Sequence, residues 1–264
     1  MKVPFTMWKH PKMIVLTAVS AFLYALVLVP FKGFQMISGI AEIRPAAVLP
    51  PVLGILFGPA GAWGCMIGNT IGDYFGGTLS AGSYFGAVGN FCFAMIAYTL
   101  WSKEQTAGAE EEDFKLADMR YLGRYVSVCV LSCSSVAFVI AWGLELLKLS
   151  PFAAVGSVIL VNNLAATLVL GPFLLKLFHG RASAWNLLWF RIMPKADRSS
   201  GLFAPWAARM IWFGAVGGLV VGLFVSHVFY QNPFLEVESA TMDPTVIMTT
   251  APFLILFFIG CLFA

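Results

Sequence analysis

Charge is what this sequence has least of. Asp, Glu, Lys and Arg make up 11% of its 264 residues, against 59% hydrophobic ones, whereas a soluble domain carries about 25% charged residues. A chain so composed cannot clothe a water-facing surface, so an ordinary soluble globule is excluded and lipid is its natural solvent. Histidine is also scarce: only His10, His179 and His227 occur. HExxH, GxSxG and Walker sequences are absent, which leaves no carrier for zinc hydrolysis, a serine nucleophile or nucleotide hydrolysis. The chain therefore reads as a non-enzyme, with no place for a cofactor, a bound metal or a nucleic-acid partner. The five cysteines (Cys65, Cys92, Cys129, Cys133 and Cys261) all lie inside apolar runs. No disulfide framework is available. Cys129 and Cys133, four apart without His or acidic neighbours, read as small packing residues of a helix.

What is present is a series of long apolar runs. A crossing helix needs roughly 20 predominantly apolar residues. Eight candidates meet or approach that: Met13–Pro30, Arg44–Phe57, Ala60–Phe75, Tyr84–Trp101, Leu122–Leu147, Phe152–Phe178, Pro205–Tyr230 and Val246–Ala264. The fold class is all-α, a polytopic transmembrane helix bundle. The second and third runs are short and are joined by Gly58-Pro59-Ala60-Gly61, a turn that forbids continuous helix. Short, Pro- and Gly-interrupted segments of this kind line cavities rather than lipid.

The basic residues sort by side. With a cytoplasmic N-terminus, Lys32, Arg44 and Lys148 fall outside and the other thirteen of the 16 Lys and Arg fall inside. The positive-inside rule then predicts a multi-pass protein of the cell membrane with its N-terminus in the cytoplasm. Two polar stretches interrupt the pattern. Ser102 to Arg120, with the run Glu110 to Asp113, is read as a solvated cytoplasmic linker. Phe178 to Arg209 is basic and Trp-rich, and reads as an amphipathic segment on the anionic inner leaflet. The boundary between two modules is set there, residues 1–180 forming a six-helix unit and 181–264 a linker with two more crossing helices.

Ionisable and amide groups are costly near a membrane and by default mark function. On this topology they gather at the outer ends of the spans: Glu42 and Arg44 on the second, Asp73 on the third, Glu145 and Lys148 on the fifth. Asn69 shares a helix face with Asp73, four residues on. Tyr74 and Tyr84 flank the outer loop Gly76–Ser83. Asn90 lies two turns into the fourth span, Trp142 one turn before Glu145, and Asn162 and Asn163 near the middle of the sixth. Together these residues outline a mixed aromatic and hydrogen-bonding cavity for a small solute. Plainer roles stand beside this one. Glu42 and Arg44 could pair and snorkel, Asp73 could cap the turn after its helix, Glu145 and Lys148 could be an interfacial anchor pair, and Asn162 and Asn163 could bind neighbouring helices together.

Small residues mark two seams. Thr17, Ala21 and Ala25 form a stripe on the first span, suited to close approach by a partner helix or by this chain itself. Gly214, Gly218 and Gly222, with Gly217 beside them, form a stronger series on the seventh span, whose expected partner is the eighth.

The stretch GIAEIRPAAVLPPVLGILFGPAGAWGCMIGNTIGDYFGG, Gly39 to Gly77, resembles the substrate-binding S components of energy-coupling factor (ECF) transporters, which take up vitamins and related micronutrients. The resemblance rests on an Arg opening the second span, a Pro-containing apolar run, a Gly-Pro turn and a Gly-Asp at the next outer end. VNNLAATLVLGPFLLKLF in the sixth span is similar to that family's last helix. Glu42-Ile43-Arg44 is most similar to the queuosine-precursor type, and next to the folate type. The resemblance covers about residues 10 to 180. It implies a six-helix unit that binds solute at its outer side under the loop Phe31–Ala41. It further implies assembly with a shared transmembrane coupling subunit and cytoplasmic ATPases. By the same resemblance Arg44, Asn69, Asp73 and Asn162 would belong to the pocket, and Ala21 and Ala25 to docking on the coupling subunit. The two further spans depart from the family pattern. Together with the end at Ala264 inside an apolar run, they keep open a membrane sensory module that binds a solute, or a self-sufficient transporter.

Overall fold

The computed structural model describes residues 2–32, 35–37, 41–42, 44–105, 119–194, 197, 204–229 and 244–263, with backbone only for 35–37, 41–42, 103–105, 120 and 204. Helix α1, Pro11–Leu28, begins on a proline whose missing N–H would have had no partner at the first helical position. It tightens into a 3-10 turn, Val29–Phe31. A small antiparallel pair follows, β1 (Gln35–Ile37) and β2 (Ala41–Glu42). A second 3-10 turn, Pro45–Val48, runs into α2, Leu49–Phe57. Then come α3 (Pro59–Phe75), α4 (Gly82–Gln105), α5 (Met119–Leu146) and α6 (Phe152–Ala184). Helix α7 (Ala204–Trp212) passes through a π-helical turn, Phe213–Gly217, into α8 (Gly218–Phe229), and α9 (Pro244–Phe263) comes last.

Among the described residues six helical stretches are long and apolar enough to cross a membrane: Pro11–Phe31, Gly82–Ser102, Tyr121–Leu146, Phe152–Ile192, Pro205–Phe229 and Pro244–Phe263. The chain is a polytopic helical bundle. The second and third of the eight expected spans are the exceptions. Helix α2 has 9 residues and α3 has 17. At 1.5 Å per residue that is about 14 and 25 Å, short of a hydrocarbon core of about 30 Å. Helix α2 is buried from Leu49 to Leu56, so it serves as interior filling rather than as a lipid-facing span. The corner between them is made by Gly58 at φ 59°, ψ −131°, a backbone region closed to other residues.

The small-residue stripe on α1 does not face outward. Thr17, Ala21 and Ala25 are 3%, 5% and 8% exposed and pack on α3 at Gly64 and Gly68. A Cβ on Gly64 would lie 2.3 Å from Ser20 Cβ, and one on Gly68 would lie 2.6 Å from the Ala21 carbonyl oxygen. The docking role expected for Thr17, Ala21 and Ala25 is corrected accordingly. Their small size is used within the chain, where two backbones approach closely, and the face α1 turns outward carries Val15, Val19, Phe22 and Leu26 instead.

The glycine series joins the last helices to the rest. A Cβ on Gly214 would lie 2.6 Å from the backbone of Phe257 in α9. On Gly218 it would meet the Phe138 ring of α5, and on Gly222 the Phe152 ring of α6. The expected partner α9 is thus one of three. Leu219 and Val246 share an apolar cluster with Phe93, Phe138 and Phe152, and Ile211 and Phe257 share another with Ile96 and Leu131. The two modules expected to meet near residue 180 are therefore packed through common cores.

The segment after α6 also turns inward. Leu188, Trp189 and Met193 are buried, and Trp189 sits edge-on to Tyr98 with ring centroids 4.9 Å apart, against the Gly58 corner. The expectation of a segment lying on lipid is corrected for this part, because Trp189 finds an aromatic slot beneath the α2–α3 turn. The acidic run Glu110 to Asp113 lies outside the described residues.

Candidate functional site

Helix α3 ends in a way that builds one wall of a cavity. Gly77 takes φ 68°, and the Thr78 N–H donates to the Asp73 carbonyl at 2.9 Å while the Gly77 N–H donates to that of Tyr74 at 3.2 Å. This is a Schellman ending. It folds Thr78 back over Asp73. The plainer role considered for Asp73, capping this turn with its side chain, is not what its carboxylate does: the backbone carbonyl takes the turn bond, and the side chain is left for other partners.

Those partners form a buried chain of hydrogen bonds. Lys32, carried one residue beyond the 3-10 turn that ends α1, donates from Nζ to Asp73 Oδ1 at 2.5 Å and to Thr78 Oγ1 at 2.9 Å. The other carboxylate oxygen of Asp73 accepts from Asn69 Nδ2 at 3.2 Å. Asn69 Oδ1 accepts from Asn90 Nδ2 at 3.1 Å, and Asn90 Oδ1 accepts from the Tyr24 hydroxyl at 2.9 Å. The chain ties α1, α3 and α4 together. The helical period places Asn69 and Asp73 on one face, and Gly86 on α4 leaves room for the Asn69 amide, which a Cβ there would approach to 3.1 Å. Lys32, Asp73, Asn69 and Asn90 are all buried. Buried polar groups hold their positions only when paired, and here each has at least one partner on another element.

Beside this chain lies a cavity of about 160 Å³ lined by Lys32, Arg44, Asn69, Asp73, Thr78, Ser80, Gly82, Ser83 and Gly86, with Ile140 and Leu144 of α5 as an apolar wall. Arg44 reaches it as the residue preceding the 3-10 turn into α2. The volume falls below the roughly 300–1,000 Å³ usual for ligand sites, so the space suits a compact solute.

The sequence-predicted residues divide into two groups. Arg44, Asn69 and Asp73 line the cavity, and Asn90 supports Asn69 from behind. Tyr74 and Tyr84 are 66% and 67% exposed and are not among its lining residues. Glu145 is buried, and its Oε2 accepts the backbone N–H of Phe152 at 2.5 Å. It thus caps the start of α6, where a negative charge is favoured. It does not stand in one environment with the exposed Lys148, so the anchor pair is not formed. Trp142 packs edge-on against Phe85, and its indole N–H has no hydrogen-bond partner among the described residues. Asn162 and Asn163 lie further along α6 and do not line this cavity. The side chain of Glu42 lies outside the described residues. Lys32, Tyr24 and Thr78 were not foreseen as site residues. For Lys32 there was a signal: it is one of three basic residues on the side opposite the positive anchors, directly after an apolar span.

A second cavity, of about 270 Å³, is almost wholly apolar and lies between Pro4 and Phe5, α4, α7 and α9. It offers no group to orient a polar solute.

The family model for the QueT transporter matches residues 14–180, the stretch that carries α1 to α6 and the polar chain. No curated protein matches the chain, and no solved structure does.

Proposed function

The chain belongs to the QueT transporter family, a membrane transporter of the S-component kind for a small substrate, and from that premise we propose that it captures a compact heterocyclic micronutrient of the queuosine-precursor type for uptake. The solute would enter the cavity under Lys32 and Arg44 from the outer side of the cell membrane, with the N-terminus in the cytoplasm. The transmembrane coupling subunit and cytoplasmic ATPases of an ECF transporter would supply the energy, since this chain carries no nucleotide-hydrolysing sequence. The observation that carries the proposal is the buried polar chain Lys32–Asp73–Asn69–Asn90–Tyr24 beside a cavity of about 160 Å³. A membrane protein does not keep a buried ion pair and two amides on three helices for packing alone at small cost. The cavity volume favours a one- or two-ring solute over one the size of folate.

The outer placement of the cavity is supported by the basic residues. Lys2, Lys9, Lys12, Arg181, Arg191 and Arg209 flank the other ends of the helices and suit an anionic inner leaflet. The test is binding of a 7-deazaguanine base to the purified chain without nucleotide. Saturating base should raise thermal stability, about 2.7 kcal/mol at 100 times the dissociation constant. Asn69→Ala should weaken binding about 5- to 100-fold, the range expected when a buried hydrogen-bonding group is lost. Absence of any stabilisation by bases, pterins or vitamins would remove the proposal.

A further inference from the structure

Asp73 is the cavity's one carboxylate among the described lining residues, and both of its oxygens are already engaged, one by Lys32 and one by Asn69. We propose that Lys32 is the specificity-determining residue of this site: by holding Asp73 neutralised it makes the cavity select a neutral solute over a cationic one. The inference rests on the solute-capture proposal and deepens it.

The geometry is specific. Lys32 and Asp73 have side chains only 6% and 8% exposed, so water screens their pairing little. An arriving ammonium group would have to displace Lys32 from Asp73 Oδ1. It would then share a desolvated space with the Lys32 ammonium it had displaced. Like charges brought together without water are a strong means of rejection. A neutral solute meets no such opposition. The Lys32 ammonium has three N–H donors, two of which go to Asp73 and Thr78. Among the described residues the third has no partner, which leaves it for an acceptor atom on the solute. The position of Lys32 is not that of a loose surface lysine. It leaves α1 through a 3-10 turn that contains Pro30, which limits how far the backbone can swing. Thr78, brought back by the Gly77 ending, fixes the head of the side chain from the other side.

The experiment uses the purified full chain in detergent and two probes of nearly equal shape, 7-cyano-7-deazaguanine with a neutral side group and 7-aminomethyl-7-deazaguanine with a cationic one. Affinities are measured by calorimetry for the wild type, K32M, D73N and K32M/D73N. The expected result is at least about a tenfold preference of the wild type for the neutral base. That preference should reverse in K32M, where Asp73 is left to pair with the ligand's ammonium. In D73N it should grow, since Lys32 then keeps its charge without the Asp73 carboxylate. The double variant loses both charges and serves as the folding control, expected to unfold closer to the wild type than either single variant does. If K32M proves too unstable to assay, D73N alone decides by the direction of its change. A wild type that binds but whose preference survives K32M, or is unmoved by D73N, overturns the assignment of Lys32 and leaves solute capture standing. A wild type that binds neither base overturns both.

Discussion

The two ends of the bundle use charge in opposite ways. At the cavity end a lysine and an aspartate meet inside the structure, 2.5 Å apart with side chains under a tenth exposed. Their surroundings are amides and hydroxyls that complete their hydrogen bonding. At the other end the pair His10–Asp197 is also within hydrogen-bond distance, at 2.9 Å, but each side chain is more than a fifth exposed, and Arg124 and Arg209 lie over the rings of Trp101 and Trp206. What fills the interior there is apolar: Trp189 against Tyr98 under the Gly58 corner. The difference teaches that closeness of charges says little by itself. A pair in water holds a surface together weakly. A pair withdrawn from water fixes a geometry and is costly to break, which is what a recognition site needs.

Four pairs of substitutions would break or sharpen this contrast, each read by unfolding of the purified protein in detergent. Trp189→Ala removes the plug of the closed end and should cost about 3–5 kcal/mol, while Trp185→Ala, at an exposed ring, should stay within about 0.5 kcal/mol. Asp73→Ala leaves Lys32 buried without its partner and should cost about 3 kcal/mol. Asp197→Ala should cost less than about 1 kcal/mol, and a similar loss at both positions would erase the distinction between the ends. Gly68→Val forces α1 and α3 apart and should cost about 1–3 kcal/mol, whereas Gly180→Val, with open space around it, should be nearly neutral. Tyr24→Phe removes one donor from the inner end of the polar chain and should cost about 1 kcal/mol, with no measurable effect from Tyr84→Phe.

Much of the bundle was legible in the sequence, because a crossing helix declares itself by length and hydropathy. The Gly58-Pro59 corner was legible for a local reason, the backbone angle that only glycine accepts there. Part of the cavity lining was legible too: Asn69 and Asp73 announce themselves as polar residues one helical turn apart in an apolar run, and Arg44 as a charge at a span's edge. Tyr74, Tyr84 and Glu145 were drawn in by the same rule, nearness to one end of a span. That rule does not say which way a side chain points around the helix, and at a membrane surface the outward direction is as acceptable to a tyrosine as the inward one. Lys32 was missed for the converse reason. A basic residue after an apolar run is the ordinary interfacial anchor, and only the fold brings Asp73, 41 positions later, to its head group. The stripe Thr17, Ala21, Ala25 marked a close approach correctly but could not name the partner. Small residues record that another backbone is near, and the glycines at 64 and 68 that answer them are themselves inconspicuous in a glycine-rich helix.

The contacts of Gly214, Gly218 and Gly222 bear on how the protein moves as a whole. The Phe257 backbone of α9 and the rings of Phe138 in α5 and Phe152 in α6 occupy the places where side chains would otherwise stand, and a π-helical turn sits in the middle of that contact. Ring and groove interlock, so α7 to α9 cannot slide independently of their neighbours without lifting rings out of their seats. Any tilting of α1 to α6 must therefore sweep the last helices along as ballast. The hole cut in the surrounding lipid is correspondingly wider, and shortening the protein before α7 would uncover Phe138 and Phe152 to lipid.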